Sequence, residues 1–334
     1  MKCTNKIKII FRRRLSMLLC LLLCAGSLAG CGQLSYTMAY SVEAGVSSFD
    51  VVARQETKTA EPFAAGLCVV TEDIPGNSEI DMSGVGAALL CDIKGSRALY
   101  AKGVHERLYP ASLTKVMTAI VALENGSLSQ TLTATSAVNI SESGAVLCGL
   151  KSGDTMTLDQ ALRILLIYSA NDVALLIAEN IGGSVEHFVE MMNDKARELG
   201  ATNTHFVNPH GLTDLNHYTT AYDLYLIFNE AVKYETFSEI IHMTGYQTTY
   251  YDKNGNAKEF NRQTTNLFLR GDYKAPENVT VIGGKTGTTN AAGHCLMLFS
   301  RDESGAPFIS VILRSESKDE LYHEMIDLLG EIHK

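Results

Sequence analysis

The sequence has no tryptophan and only 6 prolines among 334 residues, and charged residues make up just 19% of it. Few charges combined with 46% hydrophobic residues exclude a disordered chain, which needs the opposite balance. Acidic residues outnumber basic ones by 37 to 28, a net charge of −9 that argues against a nucleic acid partner, because phosphate binding needs clustered Lys and Arg. The remaining class is a globular chain long enough for one large domain or two ordinary ones.

Cysteine is present, but without the spacing of a metal site or a disulfide framework. Three of the 8 cysteines lie within the first thirty residues, and Cys31 follows that stretch. The other four are Cys68, Cys91, Cys148 and Cys295, which are scattered and form no C-x-x-C pair. We therefore expect no metal site and mostly unpaired thiols, although four cysteines allow three pairings and the sequence selects none of them.

The first thirty residues have the pattern of an export signal. Six Lys and Arg residues precede the first acidic one, and a leucine-rich, uncharged stretch then runs to residue 30. That stretch is too short for a comfortable membrane span and predicts a signal peptide over residues 1–30. Its end, Leu28-Ala29-Gly30-Cys31, resembles the bacterial lipobox, in which the cysteine is acylated and becomes the first mature residue. The alternative is an ordinary signal peptide in which Cys31 is incidental.

The predicted export signal also implies a cellular location and a means of attachment to the membrane. We expect secretion across the cytoplasmic membrane of a bacterium and attachment to its outer face, within the cell envelope, by lipid chains on Cys31. Removal of residues 1–30 takes away six Lys and Arg, leaves 22 against 37 acidic residues and makes the net charge −15. Residues 31–75 are predicted to be a tether ending in a short strand at Gly66–Thr71, which places the folded domain at 76–334.

The fold class follows from the order of the patterns after Val85. A hairpin is predicted from strands at 86–92 and 97–101, and the helix predicted at 113–124 is apolar on nearly every face. Further helices are predicted at 158–168, 172–180, 185–199, 220–233, 235–242 and 318–332, and further strands at 246–251, 279–286, 294–300 and 307–313. This order predicts an α+β fold, in which an antiparallel sheet is built from both ends of the chain and an all-helical subdomain is inserted.

A serine and a lysine at the start of the first buried helix form the first candidate site. Ser112 and Lys115 have i, i+3 spacing, so both lie on one helix face. Serine needs a base beside it to act as a nucleophile, and a lysine can be that base when burial and nearby positive charge lower its pKa. The pattern alone is weak, because Ser315 and Lys318 repeat it. In isolation either pair is better explained as an N-cap serine with an exposed lysine.

Two further motifs follow in a fixed order. Ser169-Ala170-Asn171 lies in a tight break between helical segments, where short polar residues also occur for purely structural reasons. Gly283-Gly284-Lys285-Thr286-Gly287-Thr288 ends a strand, and its glycines allow another backbone to approach the strand edge. Lys285 offers a positive charge there and Thr286 a hydroxyl donor.

Together, S-x-x-K, S-x-N and K-T-G resemble the motif set of penicillin-binding proteins and class A β-lactamases. The surrounding stretches resemble low-molecular-mass penicillin-binding proteins, the serine D-alanyl-D-alanine carboxypeptidases, and these are Tyr109–Thr118, Tyr168–Ala174, Phe206–Leu212, His217–Asp223 and Gly283–Gly293. The resemblance implies a β-lactamase/transpeptidase-like fold. The chain ends soon after the third motif, so we expect no C-terminal β-domain.

The resemblance also implies a role for each motif residue. Ser112 corresponds to the acylated nucleophile, Lys115 to its general base, Ser169 to a proton relay and Asn171 to an amide contact with the substrate. Lys285, Thr286 and Gly287 correspond to the cleft wall that binds the terminal carboxylate, and the N–H groups of Ser112 and Thr288 to the oxyanion hole. The family's carboxylate-gripping arginine has no clear counterpart, so Lys318 is the nearest candidate and Arg314 the next.

The implied reaction removes the terminal D-Ala from peptidoglycan stem pentapeptides through a Ser112 acyl-enzyme, with β-lactams as covalent inhibitors and no cofactor. One alternative is a serine β-lactamase or an esterase on the same scaffold. A β-lactamase needs a deacylating glutamate loop, whereas Glu186, Glu190 and Glu198 fall in a predicted helix. Another alternative is a non-catalytic, cell-wall-binding relative. His205, His210 and His217 are expected to be ordinary hydrogen-bonding histidines.

Overall fold

The computed structural model describes residues 66–76 and 80–333. The predicted signal peptide, Cys31 and most of the predicted tether lie outside these residues. Within the described part of the chain, no helix combines the length and the apolar composition needed to cross a membrane.

The main sheet has five antiparallel strands in the order β2-β1-β9-β8-β7. Its strands are β1 (Ala87–Asp92), β2 (Arg97–Lys102), β7 (Val279–Thr289), β8 (Gly293–Asp302) and β9 (Pro307–Ser315). Because β1 pairs with β9, the two ends of the described chain meet in the middle of the sheet. The predicted antiparallel sheet built from both ends of the chain is confirmed.

Helices fill the stretch between the two halves of this sheet, and one more closes the chain. They are α1 (Lys115–Asn125), α2 (Leu158–Arg163), α3 (Asn171–Gly182), α4 (Val185–Glu198), α5 (Ala221–Ala231), α6 (Glu235–His242), α7 (Leu267–Arg270) and α8 (Lys318–Gly330). A short 3₁₀ turn, Ala111–Thr114, leads into α1, and a π-helical turn, Ile164–Tyr168, continues α2. The predicted helix at 158–168 is therefore one helix whose last turn widens.

Each face of the main sheet carries its own hydrophobic core. In β1 all six residues are buried, and alternate side chains point to opposite faces of a strand. Leu89 and Cys91 pack into the core shared with α1, α3 and α5, whereas Ala88 and Leu90 pack into the core beneath α8. Two-sided burial explains why β1 has a continuous apolar sequence and no polar alternation.

The inserted part of the chain is not all-helical as predicted, because a second sheet lies within it. It has four strands in the order β3-β4-β5-β6, namely β3 (Thr131–Thr133), β4 (Thr155–Thr157), β5 (Gly245–Tyr251) and β6 (Ala257–Gln263). Of these four strands, only β5 is predicted by the sequence pattern. The strands β3 and β4 have three residues each, which is too short to show a period of two.

The start of the described chain also differs from expectation. The strand predicted at Gly66–Thr71 is not formed, and Ile74 instead makes an isolated bridge to Ala101. Residues that were predicted to belong to the tether nevertheless pack on the domain. Cys68 is fully buried, and its backbone N–H donates a hydrogen bond to the Tyr225 hydroxyl at 2.9 Å. Hydrophobic burial of Cys68 and Val70, without strand pairing, accounts for the apolar run at this point.

Candidate active site

Ser112 and Lys115 meet where the 3₁₀ turn enters α1. The Ser112 side chain is half-buried, and its Oγ lies 2.9 Å from the Nζ of Lys115. Lys115 is fully buried because the first two turns of α1 lie entirely inside the domain. The sequence placed these two residues on one face, and the structure puts them within hydrogen-bonding distance.

The surroundings of Lys115 favour its neutral form. Burial lowers the pKa of Lys115 well below its usual value, and the charge of Lys285 lowers it further, while Asp172 opposes both effects. Besides Ser112, the amine contacts the Asn171 Oδ1 and the His210 carbonyl oxygen, each at 2.6 Å. A neutral amine has two N–H groups for these oxygens and one lone pair for the serine hydroxyl. The neighbours therefore match a lysine that acts as a base.

The backbone beside Ser112 is held in an unusual conformation. Ala111 has a positive φ of 48°, which a residue with a side chain adopts only when its surroundings impose it. Gly211, at φ +87°, lies directly against it: a Cβ there would be 1.8 Å from the Ala111 carbonyl oxygen. The glycine of the Phe206–Leu212 stretch is thus required by close packing against the nucleophile's turn.

The second motif lies at the break between the π-helical turn and α3. Ser169 is left-handed, with φ 70°, and Asn171 begins α3. The Ser169 Oγ accepts a hydrogen bond from Lys285 Nζ at 2.9 Å, while Asn171 contacts Lys115. One short turn therefore supplies a polar contact to each of the two buried lysines.

The third motif brings Lys285 into the site on β7. Lys285 is 1% exposed, and burial lowers its pKa to about 7. Thr286 Oγ1 lies 2.6 Å from Thr265 Oγ1. Gly287 passes so close to the serine turn that a Cβ on it would lie 3.0 Å from the backbone N of Ser112. A side chain at 287 would push β7 away from the nucleophile.

These groups line a cleft of about 220 Å³. Residues from all three motifs contribute to its wall, namely Ser112, Ser169, Thr286, Gly287 and Thr288. Exposed Lys318, at the start of α8, also lines the cleft, whereas Arg314 lines two other grooves and not this one. The structure thus separates the two candidates for a cation beside the third motif.

Several cleft residues were not found from the sequence. They are Val146, Thr265, His294, Cys295, Leu321 and Tyr322. His294 is the most polar addition: its Nδ1 lies 3.2 Å from Thr288 Oγ1, and burial together with the Lys318 charge lowers its pKa. Its position opposite Thr288 in the β7–β8 register could not be read from a motif.

The three histidines named in the sequence analysis, His205, His210 and His217, make hydrogen bonds within the protein. His217 Nε2 lies 2.8 Å from Thr114 Oγ1, and His205 Nδ1 lies 2.6 Å from the Asn216 carbonyl oxygen. Burial lowers the pKa of His210 to about 3 and that of His217 to about 4, so both are neutral at pH 7. The four described cysteines, in turn, are all unpaired.

A serine next to a buried lysine of lowered pKa, with a second buried lysine on β7, defines a site for serine acyl transfer. The comparisons with known proteins agree. The family model described as D-alanyl-D-alanine carboxypeptidase matches residues 73–317. The chain belongs to this family of serine peptidases.

Individual relatives support the same assignment. The chain is 36% identical over 213 residues to D-alanyl-D-alanine carboxypeptidase DacF of Bacillus subtilis, which covers 63% of this chain and 52% of DacF. It is 30% identical over 252 residues to DacC of Escherichia coli, covering 73% of this chain and 60% of DacC. The chain therefore spans between about half and three-fifths of the length of these curated relatives.

Solved structures resemble this fold over nearly their whole length. The Streptomyces K15 DD-transpeptidase superposes with a TM-score of 0.69 and 26% identity, over 77% of this chain and 98% of that one. A D-alanyl-D-alanine carboxypeptidase from Mycobacterium tuberculosis gives a TM-score of 0.68 and 27% identity, over 79% and 96%. The predicted transpeptidase-like α+β fold is confirmed.

Proposed function

We propose that the chain is a serine D-Ala-D-Ala carboxypeptidase that removes the terminal D-Ala from peptidoglycan stem pentapeptides. One observation carries the proposal: the Nζ of the fully buried Lys115 lies 2.9 Å from the Ser112 Oγ. Burial and the charge of Lys285 lower the lysine pKa, so the amine can accept the serine proton. Family membership supplies the substrate class.

In the proposed reaction Lys115 takes the hydroxyl proton while the Ser112 Oγ attacks the carbonyl carbon of the penultimate D-Ala. The C–N bond to the terminal D-Ala then breaks, and the leaving amine receives a proton through Ser169. Water next attacks the acyl-enzyme, with Lys115 again as the base, and releases the shortened peptide. The N–H groups of Ser112 and Thr288 are proposed to bind the oxyanion, a contact whose loss typically costs ~10²–10³ in rate.

The substrate's terminal carboxylate is proposed to bind beside the third motif. The Thr286 hydroxyl offers a donor at the cleft wall, and the buried Lys285 precedes it on β7. Lys318 adds an exposed cation that also lines the cleft. Gly287 has no side chain to obstruct an extended peptide along β7. Asn171, held by Lys115, is proposed to contact the amide of the substrate's acyl part.

We propose an envelope location for the enzyme. The basic, leucine-rich N-terminus supports export, and the Leu28–Cys31 pattern supports acylation of Cys31, which would fix the domain to the outer face of the membrane. A Cys31→Ser variant should appear in the soluble fraction of cells, whereas wild type partitions with membranes. If the variant stays on the membrane, Cys31 is not the anchor.

The catalytic proposal is tested with a fluorescent penicillin. Wild type should give a long-lived covalent band on a denaturing gel, and Ser112→Ala should give none. Absence of a wild-type band would remove the acylating-serine proposal, and a band lost within seconds would identify a β-lactamase.

Release of D-Ala from a peptide ending in D-Ala-D-Ala then tests the carboxypeptidase step itself. A glycine acceptor belongs in the same assay, because the K15 neighbour is a DD-transpeptidase. Acyl transfer to glycine in place of water would replace the hydrolytic proposal.

A further inference from the structure

A buried carboxylate follows the second motif and has no role in the proposed reaction. Asp172, in the first turn of α3, is 1% exposed. Its two oxygens accept four backbone hydrogen bonds, from the N–H groups of Cys148 (2.9 Å), Gly149 (2.8 Å), Leu150 (3.0 Å) and Val173 (3.1 Å). A carboxylate that accepts several N–H groups is held in one orientation.

Three of these bonds hold a segment that reaches the cleft. Residues 146–150 contain no helix or strand, yet Val146 lines the cleft with Ser112 and Ser169. The Val146 carbonyl oxygen accepts a hydrogen bond from the N–H of Asn171 at 2.8 Å. The second motif and the segment are thus joined twice, once through the backbone of Asn171 and once through the side chain of Asp172.

We propose that Asp172 is a positioning residue for Ser112 acylation, which fixes segment 146–150 as a wall of the cleft and holds Asn171 against Lys115. This inference rests on the proposed function. Without Asp172 three N–H groups of the segment lose their acceptor, and the wall at Val146 loses its attachment to α3. The Asn171 amide, 2.6 Å from Lys115, would then be held by fewer contacts.

Asp172 also adds a negative charge to the surroundings of Lys115. The charged and titratable groups that act on this lysine are Lys285 from β7, Asp172 from α3, and His210 and His217 from the 205–217 loop. Burial makes the two histidines neutral at pH 7. Asp172 therefore opposes Lys285, and removing its charge lowers the pKa of Lys115.

The test compares Asp172→Asn with Asp154→Asn. Asp154 is a matched control because it is also buried, at 3% exposure, and accepts the Lys151 N–H next to the same segment, but it pairs with Lys258 away from the motifs. The measurement is the second-order rate of labelling by a fluorescent penicillin against pH.

Asp172→Asn should lower the plateau rate about tenfold, because the wall is less fixed. It should also move the acid limb of the rate profile towards lower pH, because Lys115 then loses its proton more easily. Asp154→Asn should keep the wild-type limb and a rate within about twofold. An unchanged limb in Asp172→Asn, or an equal move in Asp154→Asn, overturns the proposal.

Hydrogen exchange of the wild type gives a readout that needs neither a stable variant nor turnover. The amides of residues 148–150 should be protected to the same degree as the first turn of α3, and rapid exchange there overturns the proposal. A wild type that penicillin does not label would sink the proposed function. In that case protected amides would still show that Asp172 holds the segment.

Discussion

Replacing Lys285 by arginine should remove the alkaline limb of the pH profile for Ser112 acylation. Lys115 and Lys285 are both buried amines, and burial lowers the pKa of Lys285 to about 7. Burial and the charge of Lys285 also lower the pKa of Lys115. We expect acylation to need the state in which Lys115 is neutral and Lys285 is charged, so the rate should fall as Lys285 loses its proton.

The size of the alkaline limb follows from the pKa of Lys285. With a pKa of about 7, roughly 1% of the free enzyme keeps this charge at pH 9, so the labelling rate should fall about 100-fold between its plateau and pH 9. An arginine stays protonated above pH 12, so Lys285→Arg should be flat over the same range even if its plateau is lower.

The assay is stopped-flow labelling by a fluorescent penicillin from pH 5 to pH 10. Lys318→Arg is the control, since Lys318 lines the same cleft but is exposed at its mouth, and it should keep the wild-type limb. A wild-type rate that does not fall between pH 7 and pH 9 would refute the reasoning. So would a Lys285→Arg enzyme with an unchanged limb.

Three other variants test the remaining geometry. Lys115→Met should lower the labelling rate ~10³-fold while circular dichroism shows a folded protein, and near-wild-type labelling would exclude Lys115 as the base. Gly211→Ala should lower the free energy of unfolding by about 3 kcal/mol and abolish most of the labelling, because its Cβ would lie 1.8 Å from a carbonyl oxygen. The control Gly144→Ala has open space at φ +83° and should lower the free energy of unfolding by about 1 kcal/mol. Equal losses of stability in the two variants would contradict the packing argument. Lys318→Ala should raise KM for a carboxylate-terminated peptide about tenfold with kcat little changed, and Arg314→Ala should change neither constant. The reverse result would show that Arg314, and not Lys318, is the cation that binds the carboxylate.

The parts of the molecule that sequence could predict are those governed by short-range rules. The central strands β1 and β9 are buried on both faces and therefore have continuous apolar runs. These runs and the turns beside them predicted the hairpin at the start and the three strands at the end, and with them the antiparallel main sheet. The three motifs were found because each lies within a few residues and in a fixed order. Lys115, Thr118 and the other polar residues inside α1 did not obscure that helix, since its apolar residues cover nearly every face.

Long-range pairing accounts for what was missed. Asp172 stands next to a predicted site residue, but its hydrogen-bond partners are 22 to 24 residues away in a segment without periodicity. His294 reaches the cleft through the β7–β8 register, and Thr265 through its contact with Thr286. A register is set by the packing of whole strands, so no local pattern could place these two side chains.

The two S-x-x-K patterns show what distinguishes a site from a coincidence. At the second one, Ser315 Oγ donates to the Ser317 carbonyl oxygen, Ser317 caps α8, and Lys318 is exposed to solvent, so its charge is stabilised by water. At the first one, Lys115 is fully buried, is near the charge of a second buried lysine and contacts two oxygen acceptors besides the serine. Spacing is the same in both. Burial and the neighbouring charge suit Lys115 to the proposed role of base, whereas Lys318 lacks both. These two properties depend on the tertiary fold, which the pattern alone does not contain.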